Sequence, residues 1–218
     1  MARGLIFDCD GVLVDSEPLA ARELQALFAS LGARIAPQRI YDEFLGRSVQ
    51  TIVDAAARDG LDVRPALPGF AVALAARFRR DLHPVPGMAE AIALLPGPRA
   101  VASSSAPERL ALSLRLTGLA PLFGSHVYSA TQVAQGKPAP DLFLLAATRL
   151  GVAPRDCVVI EDSPAGIIAA RAAGMRAVGF LGGSHAGPAG LAQRLAAMRP
   201  DALIAHAGEL PDTLARLG

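Results

Sequence analysis

Two acidic residues near the start of the chain, Asp8 and Asp10, are candidates for a catalytic or metal-binding role. Asp8 and Asp10 follow the apolar run of residues 4–7, and a Gly-containing turn comes directly after them. A short apolar run closed by such a turn predicts a buried strand that ends in a loop. Residues i and i+2 of a strand point to the same side, so the two carboxylates should lie together. Carboxylates held this close repel each other and favour a cation or a shared proton, and oxygen ligands suit Mg²⁺.

A second acidic pair, Glu161 and Asp162, follows the apolar residues 157–160. Ser163 and Pro164 come next and are typical of the start of a helix, which we expect over residues 165–173. Paired acids between the end of a strand and the start of a helix predict an oxygen-rich metal site. The alternative is that the two carboxylates have only a structural role, in which they stabilise the helix by interacting with its positive N-terminal end.

Three consecutive serines follow another predicted strand, residues 99–102. Ligands of open α/β sheets bind where the strands end, so Ser103 and Ser104 are candidate ligand contacts. Ser105 is followed three residues later by Glu108, which is the pattern of a helix N-cap. A hydroxyl followed by the free N–H groups of a helix can hold a phosphate. We therefore expect Ser105 to cap the next helix.

Lys137 is the only lysine in a chain whose other basic charges are arginines. It precedes Pro138 and Pro140, and two prolines so spaced hold a segment extended and start the helix that we expect over residues 142–150. A stiff segment can aim a compact ammonium group into a site. The alternative is an exposed lysine in a loop.

The elements that must position these residues form an α/β pattern with a helical interruption. Residues 16–83 show no strand pattern, and helices are expected after Ser16, whose hydroxyl can cap the first of them, and over 37–44, 48–58 and 66–82. Leu24, Leu27, Phe28 and Leu31 have the spacing of a helix with one buried face. From residue 84 onward, strands near 126–129, 176–180 and 202–204 alternate with helices, which predicts a parallel sheet.

The four motifs, in this order, resemble those of the haloacid dehalogenase (HAD) superfamily. The Asp-x-Asp at residue 8, the strand that ends at Ser103, Lys-Pro-x-Pro at Lys137 and Glu-Asp-Ser-x-x-Gly at Glu161 match its subfamily IA, in the branch of β-phosphoglucomutase-like proteins and sugar-phosphate phosphatases. The resemblance implies an α/β fold, a Rossmann-like three-layer parallel sheet of strand order 3-2-1-4-5-6. It also implies a core domain of residues 1–14 and 84–218 with an inserted all-α cap domain of residues 15–83.

The resemblance assigns roles to individual residues. Asp8 would be a nucleophile that forms an aspartyl-phosphate, and Asp10 the general acid and base. Ser103 would contact a phosphoryl oxygen, Ser104 would be a further substrate contact, and Lys137 would neutralise Asp8 and the transferring phosphoryl group. The expected activity is that of a HAD-type phosphatase, a phosphoric monoester hydrolase.

The same resemblance implies a Mg²⁺ cofactor. Its ligands would be Asp8, the main-chain carbonyl of Asp10, Asp162 and Glu161, the last either directly or through water. Residues 45–48 resemble the specificity loop of the cap, so Gly46 and Arg47 are candidate substrate contacts. The alternative is that Arg47 is solvated, and His185, in a later loop, likewise either touches substrate or faces solvent.

Composition excludes several classes of protein. Of 218 residues, 52% are hydrophobic and 19% charged, the net charge is +1, and no basic block suggests nucleic acid. No apolar stretch reaches the ~18 residues of a membrane span, and no export signal is seen, so we expect a cytoplasmic enzyme. Cys9 and Cys157 are expected to be buried thiols. We expect a small phosphorylated metabolite as partner, with no nucleic acid and no membrane, and a monomer.

Three functions are considered from the sequence. The first is a phosphatase for a small metabolite, such as a sugar or polyol phosphate. The second is a phosphosugar mutase, which is weakened because those mutases carry a His where this chain has Leu19 and Ala20, and an Arg where it has Val49. The third is a catalytically silent binding protein, against which every motif position holds the expected residue.

Overall fold

A six-stranded parallel sheet forms the centre of the molecule, with strand order β3-β2-β1-β4-β5-β6. The computed structural model describes residues 4–44, 46 and 49–217. The predicted order 3-2-1-4-5-6 and the α/β class are confirmed. The strands are β1 Gly4–Phe7, β2 Arg99–Ser103, β3 Val127–Ser129, β4 Cys157–Glu161, β5 Arg176–Phe180 and β6 Ala202–Ile204.

Helices surround the sheet, and several short 3₁₀ turns connect the elements. The helices are α1 Glu17–Ser30, α2 Pro37–Glu43, α3 Val49–Arg58, α4 Leu67–Asp81, α5 Met88–Leu94, α6 Pro107–Leu116, α7 Ala120–Phe123, α8 Asp141–Leu150, α9 Pro164–Ala172, α10 Leu191–Ala197 and α11 Leu210–Arg216. Most bounds lie within two residues of those predicted; the short helix α7 was not predicted.

The strand β1 is central because both of its faces are apolar and covered. Phe7 packs in one hydrophobic cluster and Ile6 in the other, as the alternation of side chains along a strand requires. On either side β1 pairs with β2 and β4. The loops that follow these three strands therefore open at the same edge of the sheet.

The helices α1–α4, here called the helical insert, leave the sheet after β1; the buried residues Leu74 and Phe78 of α4 pack in the same cluster as Phe7 of β1, whereas α1–α3 share a hydrophobic cluster of their own. Leu24, Leu27 and Phe28 of α1 are buried in it, which confirms the predicted face. The two chain crossings into and out of the insert run side by side: Asp15 N donates to His83 O at 3.0 Å, and Val85 N donates to Leu13 O at 3.0 Å. The insert is thus attached to the sheet by two adjacent connections.

Other expectations from the sequence are met at the level of single residues. Ser163 caps α9, because its Oγ accepts a hydrogen bond from Gly166 N at 3.0 Å. Both Cys9 and Cys157 are buried free thiols. Within the part of the chain that is described, no helix has the length and apolar character to cross a membrane.

Candidate active site

The carboxyl ends of β1 and β4 bring the two acidic pairs together. Phe7 of β1 lies beside Ile160 of β4, and Asp8 N donates to Ile160 O at 3.0 Å. Asp8 and Glu161 therefore leave neighbouring strands at the same level. One carboxylate oxygen from each of Asp8, Glu161 and Asp162 lies within 4.8 Å of the others, and all three side chains are buried.

Lys137 lies inside this carboxylate cluster. Its Nζ is 2.6 Å from Asp8 Oδ1 and 2.8 Å from Glu161 Oε2, and its side chain is only 4% exposed. Burial alone would lower its pKa, but the charges of Asp8 and Glu161 outweigh burial and raise it. The lysine stays charged, and the alternative of an exposed loop lysine is excluded.

One ammonium does not balance three buried carboxylates. Burial, and then repulsion by Glu161, raises the pKa of Asp8 well above its usual value. The same two causes raise the pKa of Asp162. A site of hard oxygen donors that is short of positive charge suits a divalent cation such as Mg²⁺. The residues present therefore fit the predicted metal.

Asp10 lies beside this cluster and is held by three donors. Ser16 Oγ and Arg109 Nη2 donate to its Oδ1 at 2.6 and 2.8 Å, and Ser105 Oγ donates to its Oδ2 at 2.6 Å. Burial alone would raise the pKa of Asp10, but the charge of Arg109 and these hydrogen bonds outweigh burial and lower it. The arrangement favours the carboxylate form of Asp10 while all three donors are in place.

Two of these donors correct predictions made from the sequence. Ser16 stands at the N-cap of α1 but in helical rather than extended backbone geometry, and its side chain makes no capping bond. Ser105 is not a cap either, because the N-cap of α6 is Ala106. Both hydroxyls instead donate to Asp10, and a hydrogen bond to a charged acceptor is stronger than one between neutral groups.

Ser103 ends β2 at the same edge of the sheet. It is buried, and its Oγ accepts from Ser105 N at 3.1 Å. Ser103 and the half-buried Ser104 line a cavity together with Asp8, Asp10 and Lys137. The structure thus brings all the predicted core residues to one place.

The cavity lies between the sheet edge and the helical insert. It contains about 590 Å³ of space, including its open mouth. The sheet side is polar, whereas most of the lining from the insert is apolar: Ala20, Leu24, Phe44, Val49, Ile52 and Phe70. Gly46 lies at the cavity, as predicted for a substrate contact, and Arg47 lies outside the described residues.

Glu17 is a site residue that sequence reasoning did not identify. It lines the cavity, is buried, and its Oε1 accepts from Gly46 N at 3.1 Å. Burial, followed by the nearby charge of Asp10, raises its pKa to about 8. From the sequence, Glu17 was recognisable only as an acidic residue in the first turn of a helix. Its position on the predicted buried face of α1 is the feature that could have identified it as a site residue.

His185 is buried rather than solvated. Its Nε2 lies 3.0 Å from Asp162 Oδ2, and its Nδ1 has no hydrogen-bond partner among the residues described. Burial lowers its pKa, which favours a neutral imidazole beside the carboxylate. Gly11 lies against this pair with φ +79°, and a Cβ there would overlap Asp162 Oδ2. The close approach of the turn after Asp10 therefore requires glycine.

Comparison with known proteins agrees with this geometry. The sequence-family model of the haloacid dehalogenase-like hydrolases matches residues 2–174 of this chain. Hexitol phosphatase B of Escherichia coli (strain K12) is 36% identical over 183 residues, which cover 79% of this chain and 81% of that protein. Fructose-1-phosphate phosphatase of the same organism is 34% identical over 180 residues, covering 80% and 94%.

Solved structures show the same likeness over the full length. A conserved haloacid dehalogenase-like protein of unknown function from Agrobacterium tumefaciens is 36% identical, with a TM-score of 0.85 and coverage of 100% of this chain and 99% of that one. A HAD family hydrolase from Deinococcus radiodurans, with bound phosphate and sodium, is 33% identical, with a TM-score of 0.73 and coverage of 99% and 96%. The predicted enzyme class, a phosphoric monoester hydrolase, is confirmed, and the chain belongs to the haloacid dehalogenase-like hydrolases.

Proposed function

We propose that the protein hydrolyses the phosphate ester of a small sugar or polyol, in a Mg²⁺-dependent reaction that passes through an aspartyl-phosphate on Asp8. The observation that carries this proposal is the position of Lys137, whose ammonium bridges Asp8 and Glu161 at the floor of the cavity. A cation in contact with a carboxylate nucleophile also neutralises an incoming phosphoryl group.

Asp8, Glu161 and Asp162 are the side chains that would hold the metal, together with the main-chain carbonyl of Asp10. The ion, when bound, would supply positive charge that stabilises the phosphoryl oxygens. His185 would keep Asp162 in a fixed orientation through the contact of its Nε2 with the carboxylate.

The reaction would have two steps. In the first, a carboxylate oxygen of Asp8 forms a bond to phosphorus as the bond from phosphorus to the ester oxygen breaks, and Asp10, in its protonated form, gives its proton to that oxygen. In the second, water attacks phosphorus, Asp10 accepts the proton, and the bond from phosphorus to Asp8 breaks. Splitting one displacement into two is covalent catalysis. Ser103 and Ser104 would donate hydrogen bonds to phosphoryl oxygens, and Lys137 would offset their charge.

The substrate class is supported by the relatives. Hexitol phosphatase B and fructose-1-phosphate phosphatase act, by their names, on phosphorylated polyols and sugars. We propose that residues 15–83 are a cap domain over a core of residues 1–14 and 84–218. Glu17, Gly46 and Arg47 would then face the part of the substrate that the core does not hold, since the sheet edge alone has room for little more than a phosphate.

A phosphosugar mutase is the second candidate. The solved structure of a putative β-phosphoglucomutase from Thermotoga maritima is 27% identical with a TM-score of 0.72. Incubation with glucose 1-phosphate separates the two activities, because a phosphatase releases phosphate and a mutase forms glucose 6-phosphate. We propose the phosphatase, acting as a monomer in the cytoplasm.

The experiment that tests the proposed function is a phosphate-release screen over hexitol and sugar phosphates with and without Mg²⁺. Wild type should hydrolyse at least one polyol or sugar phosphate, and EDTA should abolish the release. Asp8→Asn, which keeps the size of the side chain, should be inactive with an unchanged thermal unfolding midpoint. Metal-independent release, or turnover by Asp8→Asn at the wild-type rate, would contradict the proposal.

A further inference from the structure

Arg109 contacts both Asp10 and the helical insert. It belongs neither to the four sequence motifs nor to the insert. It lies on α6, next to the sheet. Its Nη2 is 2.8 Å from Asp10 Oδ1, and its guanidinium carbon lies 5.2 Å from the centre of the Phe78 ring. Phe78 is on α4 of the insert and is almost completely buried. One side chain thus touches the carboxylate on one side and the insert on the other.

The guanidinium of Arg109 is held by specific contacts. Its Nε is buried and has no hydrogen-bond partner in the described part of the chain. Leaving a buried donor unpaired costs free energy, so the guanidinium must be held in place by its other contacts. Those contacts include the ion pair with Asp10 and the face of the Phe78 ring, which attracts cations, and the nearby carboxyl group of Glu17 also acts on the guanidinium.

We propose that Arg109 is a positioning residue that couples the position of the helical insert to the orientation of the Asp10 carboxylate. The inference rests on the proposed function, in which Asp10 protonates the leaving oxygen. Asp10 Oδ1 is held by Ser16 and Arg109, and Oδ2 by Ser105. Ser16 lies in the chain crossing that enters the insert, and Arg109 lies against Phe78. Two of the three donors therefore depend on where the insert sits, and only Ser105 belongs wholly to the core.

The consequence is that movement of the insert changes how Asp10 is held. While all three donors are in place, both oxygens face protein donors rather than a leaving group. A shift of α4 moves the Phe78 ring, and with it the support of the guanidinium. Arg109 then sets the direction in which Asp10 offers a proton, so its loss should affect reactions that need the acid more than reactions that do not.

A leaving-group comparison tests this proposal. The ester oxygen of a hexitol phosphate needs a proton to leave, whereas p-nitrophenolate is a good leaving group without one. We expect Arg109→Met to lower kcat/KM for the hexitol phosphate by about 10- to 100-fold, a part of the effect of a general acid. For p-nitrophenyl phosphate the loss should stay within about 3-fold, because kcat/KM reports only the steps up to departure of the leaving group.

Three further variants make the test specific. Arg109→Lys keeps a cation that can reach Asp10 and should recover about 10-fold of the lost kcat/KM. Phe78→Leu keeps the ion pair but removes the ring, and should show the same preference on a smaller scale, about 3- to 10-fold. Arg115→Met, on an exposed site of the same helix, is the matched control and should match wild type for both substrates.

The outcomes separate this proposal from the proposed function. Failure of wild type to hydrolyse either substrate would contradict the proposed function. Wild-type hydrolysis of both, with Arg109→Met losing both equally or neither, would overturn the positioning role alone. A Phe78→Leu variant with an unchanged substrate ratio and a wild-type unfolding midpoint would overturn the link to the insert.

Discussion

Lys137 Nζ lies 2.6 Å from Asp8 Oδ1, although 129 positions separate the two residues in the chain. The contact exists because β1 and the segment before α8 meet at one edge of the sheet. It places a charged ammonium against the proposed nucleophile, and the second contact, to Glu161, draws in the other acidic pair. This relationship is the basis of the predictions that follow.

Removal of the lysine should destabilise the metal-free protein. Lys137→Met leaves Asp8, Glu161 and Asp162 buried without their only close cation among the described residues. Breaking such a buried pair costs about 3–5 kcal/mol, less whatever protonation of the carboxylates recovers. Urea unfolding in EDTA at neutral pH measures the loss. Arg155→Met, at a side chain that is 83% exposed, is the control and should be nearly neutral. Equal stability of the two variants would show that the buried pairs are not coupled as described.

The metal-free protein should also lose stability as pH rises, in part through Glu17. Its pKa is about 8 in the folded protein against a usual value of 4.5. The folded state therefore binds the proton more tightly than the unfolded state, and this stabilisation is present at low pH and lost as pH rises toward 8. Relative to Glu17→Gln, the wild-type free energy of unfolding should fall by up to roughly 1.4 kcal/mol per pH unit between about pH 5 and pH 8.

Urea titrations of both proteins in EDTA, at several pH values, check this expectation. The glutamine keeps an oxygen that can accept from Gly46 N, so the comparison isolates the charge. Parallel stability curves for the two proteins would contradict the assignment of a raised pKa to Glu17.

His185 should contribute to metal affinity without touching the metal. Its Nε2 lies 3.0 Å from the carboxylate of Asp162, a proposed ligand, and loss of such a partner typically weakens binding about 10- to 100-fold. We expect His185→Ala to weaken Mg²⁺ binding by that factor, measured by calorimetry without substrate. His185→Gln, whose amide can still donate, should lose less. Unchanged affinity in the alanine variant would exclude a role for His185 in orienting Asp162.

How far the sequence determines this site differs between residues. Asp8, Ser103 and Glu161 were predictable because each lies where a strand ends at the carboxyl edge of the sheet. Lys137 was predictable because it precedes two prolines that stiffen the segment before the next helix. The local sequence pattern is sufficient to predict that these residues lie at this edge of the sheet. The buried face of α1 and the cap of α9 follow from the same local rules, whereas the strand order was expected from the resemblance to the HAD superfamily.

The surroundings of Asp10 were not predictable in this way. Ser16 and Ser105 carry capping patterns, yet a buried carboxylate competes with the helix ends for their hydroxyls. Arg109 and His185 reach the site only because α6 and the loop after β5 pack against it, and no short-range spacing records that packing. Such residues are found from tertiary contacts, not from periodicity.

Loss of the Ser105 hydroxyl should reduce activity. Ser105→Ala removes the donor to Asp10 Oδ2, and a hydrogen bond to a charged group is worth about 1.5–3 kcal/mol, or roughly 10- to 150-fold in rate. Ser105→Thr keeps the hydroxyl and should retain more activity. Steady-state kcat/KM for a hexitol phosphate measures the effect. A threonine variant no better than alanine would argue that bulk, not the hydrogen bond, matters at this position.

The central claim is that Asp8 carries the phosphoryl group. Asp10→Asn with p-nitrophenyl phosphate tests it most directly, because the first step then needs no acid while the second step lacks its base. We predict a burst of about one p-nitrophenolate per protein molecule and, after acid quench and digestion, a hydroxylamine-sensitive phosphate on the peptide that contains Asp8. Steady release without a burst and without phosphate on that peptide, from an enzyme whose wild type turns over, would contradict the account.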